Sequence, residues 1–518
     1  MNASDVNLLF APGQAAQPLQ REAPAYFTDL NLDQFVAALA GEKDEYGLRP
    51  LLHTPVAQLE TIAHRHAVFR DLDTPAVAQA VDDFLHGLQQ VAEQRQRMAK
   101  AFHPHEKSRW LLDALHAYGK VVCTLADALR AAAPASDGFR QLGAYLRGYT
   151  EGEELRTLRE ETRQLLAQLG EIRYSVLIKG PRVEVSRDQG EADWGQEISA
   201  TFARFQSGRV ERPEVQQPPP RHHTLLEAPW LNTVDERILT QVALLFPQLF
   251  ARIDAYVRRY QDYADPVVTR TATQLQFYLC YRQYIAPLRA AGIAFCHPSF
   301  SQPGEPVDAA QACDLVLAHQ LAASGKAVVC NDVQLGAGEQ LLLVSGPNQG
   351  GKTTLARMFG QLHYLARLGL PVPARAATLR WWSGLFTHFE RSEDIHSLRG
   401  KLEDDLVRIH AIIGQVDAGS IVIMNEIFSS TTTDDARWLG ERILRRLLAL
   451  GCIGVCVSFI DDLARLDAAI VSMASTVDPR DPAIRTFKVV RQAPDGKAYA
   501  HALAAKHHLT REDLQARL

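Results

Sequence analysis

The chain lacks the cysteine pattern of a metal centre or of a disulfide scaffold. Its seven cysteines are scattered over 518 residues and include no CxxC pair. Cys452 and Cys456 lie in an apolar run, which indicates buried packing rather than zinc binding. The cysteine pattern therefore predicts a reduced, cytoplasmic protein.

Long apolar runs and an excess of one charge are also missing. No uncharged apolar run reaches the roughly 18 residues that a transmembrane helix needs. The N-terminus has no basic stretch followed by an apolar segment, so the sequence predicts neither a membrane span nor a signal peptide. The formal net charge of −5 argues against a wholly basic nucleic-acid binder, although a local basic patch is compatible with it.

Apolar periodicity divides the chain into helical parts and a part in which strands and helices alternate. Alternating residues on both sides of Gly180-Pro181 predict a β-hairpin, and Pro247 predicts a kink or break in the helical stretch that begins near Thr233. We predict a flexible leader at 1–25, helices at 26–170, a β-containing insertion at 171–228, returning helices at 229–298, an α/β domain at 299–490 and a helical tail at 491–518.

These parts predict a multidomain protein of class α plus α/β. The two helical blocks around a small β insertion indicate a long antiparallel helical arm with a tip. In the α/β domain, short apolar runs predict buried strands of a largely parallel sheet, at Leu341–Ser345, Ser420–Met424 and Ile453–Ser458.

A glycine-rich segment between a predicted strand and a predicted helix fits the full spacing of a P-loop. Its residues are Gly346, Pro347, Asn348, Gln349, Gly350, Gly351, Lys352 and Thr353, followed by Thr354 in the helix. Glycines let backbone N–H groups approach phosphate oxygens, and the helix N-terminus favours an anion. Lys352 is expected to contact the β and γ phosphates, and the Thr353 hydroxyl to bind Mg²⁺. The predicted ligands are therefore ATP and Mg²⁺.

A second element of the site follows the strand that ends at Met424. Asn425-Glu426 stands where P-loop ATPases often carry Asp-Glu, in which the aspartate holds the Mg²⁺ shell and the glutamate polarises water. An amide oxygen can still accept a hydrogen bond from metal-bound water, but it lacks the charge. Glu426 is the candidate general base.

At these residues the chain resembles the MutS family of DNA mismatch-repair ATPases. The P-loop segment is similar to the family's GPNMGGKST, and residues 425–435 are similar to its DEIGRGTSTYD. Val372-Pro373-Ala374 and Phe386-Thr387 match further family segments. The resemblance covers about residues 26–518 and is strongest over 330–460.

The resemblance implies an ABC-like ATPase that acts as a dimer. It places Asn331 near the adenine, the helices at 26–170 in the family's core and lever, the insertion at 171–228 at its DNA clamp, and 491–518 in its dimerisation tail. It also implies a trans signature in which Ser397, Gly400 and Lys401 stand near the partner's ATP.

Several positions differ from the family's pattern. Asn425 replaces an aspartate, Phe459 replaces a histidine near the γ-phosphate, and Gly400 replaces the serine expected to reach the partner's ATP. The neighbouring Lys401 could supply a charge to that phosphate or be a surface lysine. Each lost group costs a few kcal/mol of transition-state stabilisation, about 10²-fold in rate. We therefore expect ATP binding with slow, DNA-linked turnover.

Basic residues on the predicted hairpin are the candidates for DNA contact: Arg173, Lys179, Arg182 and Arg187. They could equally be a solvated basic hairpin. The expected partner is DNA, as a structured or mismatched duplex. We find no counterpart of the family's N-terminal mismatch-reading domain, which favours branched or structured DNA over a mismatch. The alternatives are an ATP-gated interaction scaffold with little hydrolysis and, more remotely, a small-molecule kinase.

Overall fold

A computed structural model describes residues 6–14, 17–42, 44–180, 182–190, 233–390, 400–481 and 484–493. The chain forms two compact units. The helical unit comprises Met1–Val6, Asp71–Ala135 and Phe139–Ala272, and the sheet unit comprises Asn7–Arg70, Ser136–Gly138 and Thr273–Leu518.

The sheet unit therefore includes the segment Asn7–Arg70, which precedes most of the helical unit in sequence. This segment contains the helices α1 Leu32–Ala40, α2 Leu48–His53 and α3 Leu59–Leu72. Leu8 and Leu9 are buried, and the Leu9 carbonyl accepts a hydrogen bond from the buried Arg65 guanidinium at 2.9 Å. The described part of 1–25 thus differs from the flexible leader that the Ala-, Gln- and Pro-rich composition predicts, because a few apolar side chains fix it in the core.

The helical unit consists of long helices and one β-hairpin. In chain order its elements are α4 Pro75–Lys100, α5 Pro104–Ala132, α6 Asp137–Glu151, α7 Glu153–Glu171, β1 Tyr174–Lys179, β2 Arg182–Arg187, α8 Thr233–Leu245, α9 Pro247–Tyr260 and the start of α10 Pro266–Ala290. The predicted hairpin is present, with β1 and β2 antiparallel. The predicted break at Pro247 is also present, since α8 ends at Leu245 and α9 starts at the proline.

Most of the predicted insertion, from residue 191 to 228, lies outside the described residues. Among the described helices, none is by itself long and apolar enough to cross a membrane. Helices α8 and α9 meet that measure of length and composition only as a pair, which is bent by 105°.

The sheet unit continues with alternating strands and helices. They are β3 Ser299–Ser301, β4 Val307–Ala312, α11 Leu315–Ala323, β5 Asn331–Leu335, β6 Leu341–Ser345, α12 Lys352–Arg367, β7 Ala376–Arg380, β8 Leu385–Phe389, α13 Lys401–Ile413, β9 Ile421–Asn425, α14 Thr433–Leu450, β10 Ile453–Val457, a 3-10 turn Asp461–Arg465, β11 Ile470–Val477 and β12 Arg485–Arg491.

Two sheets form from these strands. The larger has six strands in the order β12-β11-β6-β10-β9-β8, all parallel except β12. Its strands β6, β9 and β10 are buried at every position, as expected for strands covered on both faces. The smaller sheet has the order β3-β7-β4-β5 and mixes parallel and antiparallel pairs. The protein is thus helical plus α/β, with a second, mixed sheet that the sequence did not predict.

Helices cover the large sheet and fix the position of the loop that follows β6. Helix α12 packs against β9 and β10. The apolar residues of α14, including Ile443, Leu444 and Leu447, pack with Leu343 and Met424 of the strands. Because β6 and β9 run parallel to the strand β10 between them, their carboxyl ends lie at the same edge of the sheet, where ligands of such folds bind.

Candidate nucleotide-binding site

The glycine-rich loop leaves β6 and leads directly into α12, which begins at Lys352. Gly346 and Gly351 have φ angles of 115° and 93°, a region that favours glycine. A Cβ on Gly346 would lie 2.5 Å from the Ser475 hydroxyl, so the loop backbone rests directly on β11. The loop is therefore held tightly with its backbone close to the start of α12.

Lys352 lies within this loop. Its Nζ donates hydrogen bonds to the carbonyls of Gly346 and Pro347 at 2.9 and 3.2 Å and to the Asn348 side-chain oxygen at 3.1 Å. Burial lowers the pKa of Lys352, and the nearby Glu426 carboxylate opposes that shift. The ammonium group is thus positioned at the loop by oxygen acceptors, with a carboxylate in electrostatic range.

The Mg²⁺ candidates Thr353 and Asn425 are in contact. The Thr353 hydroxyl donates to the Asn425 amide oxygen at 2.9 Å. Asn425 is buried at the end of β9. These two oxygens can face a metal ion together, but the pair carries no formal charge. Thr354 follows in the first turn of α12.

Glu426 lies immediately beyond β9 in a sparsely populated backbone conformation, with a φ angle of 54°. Its N–H donates to the Val457 carbonyl at 3.0 Å, which fixes the residue beside the end of β10. Left-handed backbone at a non-glycine residue often marks a functional position. Glu426 is therefore fixed at the carboxyl end of β9, beside the end of β10.

Asn331 bonds to β12 on the far side of the loop. Its side-chain N–H donates to the Phe487 carbonyl at 3.2 Å, and its amide oxygen accepts from the Val489 N–H at 2.8 Å. Phe487 has a φ angle of 58°, and its carbonyl would lie 3.4 Å from a Cβ on Gly351. The Phe487 ring is about half exposed. Asn331 thus positions the backbone of β12 against the glycine-rich loop.

The positions that depart from the family's pattern differ in burial and in contacts. Ser458 is buried and accepts a hydrogen bond from the Ile460 N–H at 3.0 Å, whereas Phe459 is 52% exposed. Gly400 is the residue before α13, and the Lys401 ammonium bonds to the Glu390 carboxylate. Ser397 lies outside the described residues. Lys401 thus has a carboxylate partner within its own chain, which favours a surface lysine over a charge supplied to the partner's phosphate.

The four hairpin residues fall into two groups. Arg173 donates to the Gly170 and Ile172 carbonyls, and Arg187 donates to the Leu245 carbonyl at 2.6 Å, so both are bound within the helical unit. Lys179 and Arg182 face each other across the tip of the hairpin. Within the described residues, these two form no ion pair. The tip pair is therefore the better candidate for contact with phosphate.

A basic groove between α5 and α7 is a further surface that sequence reasoning missed. It has a volume of about 360 Å³ and is lined by His116, Lys120, Arg156, Arg159, Glu160, Thr162 and Arg163. Glu160 pairs with Arg163 at 2.6 Å, whereas Lys120 and Arg156 have no such partner within the described residues. Arg156, Arg159 and Arg163 are spaced so that they share one face of a helix, which is a signal visible in the sequence. The groove itself depends on the packing of α7 against α5, which the sequence does not show.

The sheet unit belongs to the class of α/β domains that carry a glycine-rich loop between a buried strand and a helix. Residues 342–512 match MutS domain V. The chain is 32% identical over 133 residues to an "Endonuclease MutS2" of Thermomicrobium roseum and 29% identical over 189 residues to one of Gemmatimonas aurantiaca. The resemblance to the MutS family is therefore confirmed for residues 342–512, the part of the chain that matches MutS domain V.

These matches are partial in both directions. The two alignments cover 26% and 36% of this chain, and they span only 17% and 23% of the two relatives. The match to domain V contains the glycine-rich loop, and the helical unit lies outside that match.

Proposed function

We propose that this protein binds ATP with Mg²⁺ and couples its nucleotide state to binding of structured or mismatched duplex DNA, as a homodimer in the cytoplasm. The observation that carries the proposal is the contact network of Lys352, Thr353 and Asn425 at a glycine-rich loop, within a MutS-type domain. Lys352 would hold the terminal phosphates, and the oxygens of Thr353 and Asn425 would hold Mg²⁺.

Hydrolysis is proposed to be slow. Mg²⁺ would neutralise charge on the phosphates, while Glu426 would orient and polarise the attacking water. Asn425 contributes an uncharged oxygen, and Phe459 offers no hydrogen bond. Both changes weaken stabilisation of the transition state more than they weaken binding.

A second candidate is an ATP-gated interaction scaffold with little hydrolysis. The pairing of Lys401 with Glu390 favours it, because a lysine bound within its own chain is less available for the partner's nucleotide. Turnover at background level, unchanged by DNA and by Glu426→Gln, would support the scaffold over the DNA-coupled ATPase.

Binding of labelled ATP to Lys352→Ala and to Lys326→Ala tests the nucleotide site. Lys326 is an exposed lysine of the same unit and serves as the matched control. We expect Lys352→Ala to lose about tenfold or more in ATP affinity, or about 1.4 kcal/mol, because it removes the charge at the phosphates. Equal affinity of the two variants would contradict the proposed site.

Gel-shift assays of the same variants with mismatched, branched and plain duplexes, with and without ATP, test the coupling. ATP should change DNA affinity in the control and not in Lys352→Ala. Absence of binding to every duplex in every nucleotide state would exclude the DNA role and leave the scaffold.

A further inference from the structure

Two cysteines face each other where β4 and β5 meet. Ala312 of β4 pairs with Asn331 of β5 in antiparallel register. One position further along this register, Cys313 lies opposite Cys330. Opposite side chains of antiparallel strands have Cβ atoms about 4.5–5.5 Å apart. Both residues are free cysteines. The two sulfurs can therefore meet with a small movement of the backbone.

The two thiols have different surroundings. Cys313 is buried, and Cys330 is partly exposed. The neighbouring Cys313 thiol, helped by the charge of Lys488, lowers the pKa of Cys330 to about 7, whereas the pKa of Cys313 is raised by the neighbouring Cys330 and by burial. Because the thiolate is the nucleophile, Cys330 is the thiol that reacts first.

Cys330 is linked through its neighbours to the glycine-rich loop. Its carbonyl accepts a hydrogen bond from Lys488, and the next residue, Asn331, bonds to the backbone of Phe487 and Val489. The Phe487 carbonyl in turn lies against Gly351. A displacement of Cys330 would therefore move or break the hydrogen bonds that place β12 beside the loop.

We propose that Cys313 and Cys330 are a modification site that forms a reversible disulfide, and that this oxidation weakens nucleotide binding at the adjacent loop. The second part rests on the proposed function. A disulfide bond is about 2.05 Å long, so closure draws Cys330 toward β4 and pulls Asn331 with it. The amide bonds of Asn331 to β12 become longer or bent, and the loop loses its support.

The reaction with a peroxide is balanced in two steps. The Cys330 thiolate attacks one peroxide oxygen, the O–O bond breaks, and a sulfenic acid and hydroxide are formed. The Cys313 sulfur then attacks the sulfenic sulfur, the S–S bond forms, and the departing hydroxide takes the Cys313 proton as water. The two thiols lose two electrons to the peroxide, and a dithiol reductant reverses the change.

The full chain is treated with hydrogen peroxide, digested and examined by mass spectrometry for a peptide linked through the two cysteines. The linked peptide should form in the wild type but not in Cys313→Ser. The control is Cys280→Ser, which removes another partly buried thiol of the same unit and should still form the linked peptide. A wild-type protein that forms no such link, or in which Cys330 pairs with other cysteines at random, would overturn the site.

Affinity for labelled ATP is then measured before and after oxidation. Oxidation should weaken binding by about fivefold or more in the wild type, with recovery on reduction and with no change in Cys313→Ser. A linked peptide without a change in affinity would overturn the coupling. If the reduced protein does not bind ATP, the proposed function and the coupling fail together, while the mass spectrum still decides whether the disulfide site exists.

Discussion

At the scale of single residues, Asn425 determines how much charge the proposed Mg²⁺ site would offer to the metal ion. The Thr353 hydroxyl points at its amide oxygen, so the geometry for two oxygen ligands is present without a carboxylate. An oxygen ligand that carries a charge binds Mg²⁺ more strongly than an amide does. The residue at 425 should therefore set turnover more than it sets ATP binding.

Asn425→Asp should raise Mg²⁺-dependent ATP turnover by about tenfold, because the added charge holds the metal at the phosphates. Phosphate release is measured over a series of Mg²⁺ concentrations. The gain should disappear in the double variant Asn425→Asp, Glu426→Gln, which keeps the metal site and removes the base. A rate that stays at the wild-type value at saturating Mg²⁺ would show that charge at this position is not what limits hydrolysis.

Other residues of the site could be found only with the structure in hand. The spacing of the glycine-rich loop identified Lys352 and Thr353 without any knowledge of their contacts. Ser475 and Phe487 touch the same loop, yet they follow it by more than a hundred residues and belong to no motif. Their roles depend on which strands become neighbours, which local pattern does not encode.

At the scale of elements, the sequence predicts the strands that are buried along their whole length and the hairpin whose residues alternate around a turn. The apolar runs of β6, β9 and β10 mark strands covered on both faces, and they were predicted to within one residue at either end. The smaller sheet was missed because β4 contains one β-branched residue, Val307, and no aromatic residue, and because its neighbours β5 and β7 come from separate parts of the chain.

The groove between α5 and α7 is the element-scale candidate for DNA contact. Loss of two phosphate contacts should weaken binding to all duplexes alike, whatever their sequence. The slope of log affinity against log salt concentration should become less steep by about 2. We expect this result for the double variant Lys120→Ala, Arg156→Ala, measured by gel shift over a range of salt concentrations. The control is Lys107→Ala, Arg147→Ala, which removes two exposed charges of the same unit away from the groove.

If both double variants lower affinity and salt slope equally, the groove has no special role and the helical unit attracts DNA only through its overall charge. If neither double variant changes DNA affinity, the candidate for DNA contact among the residues that the structure describes is the hairpin tip with Lys179 and Arg182.

At the scale of the whole molecule, contacts between distant parts of the sequence determine which segments fold together. Arg65 is fully buried, and its guanidinium donates to the Leu368 carbonyl at 2.7 Å, across 303 residues of sequence. Burial lowers the pKa of Arg65, to about 10. A sequence pattern places Arg65 on a helix but gives no sign of its partner. This is why the N-terminal helices were predicted with the helical arm rather than with the sheet unit.

The core of the sheet unit also contains buried histidines that make its stability depend on pH. Burial, with a smaller effect of the neighbouring His297, lowers the pKa of His66 to about 3, and burial lowers that of His363 to about 4. Both groups have an ordinary pKa of 6.5 when unfolded. Between pH 6.5 and about 4 the unfolded chain therefore binds more protons than the folded one.

The free energy of unfolding should consequently fall as the pH falls below 6.5, by about 1.4 kcal/mol per pH unit for each of the two histidines. Urea unfolding followed by tryptophan fluorescence at pH 7.5, 6.0 and 5.0 measures the slope. His66→Gln and His363→Gln should each reduce the slope of the unfolding free energy against pH by about half of what the two histidines contribute together. This holds even where the variant is less stable overall, because the slope depends on the difference in bound protons between the unfolded and folded states. His86→Gln is the control, since His86 is exposed on α4. A slope that is the same in all three variants would assign the acid sensitivity to other groups, such as His64, whose pKa is also lowered by burial, or to carboxylates.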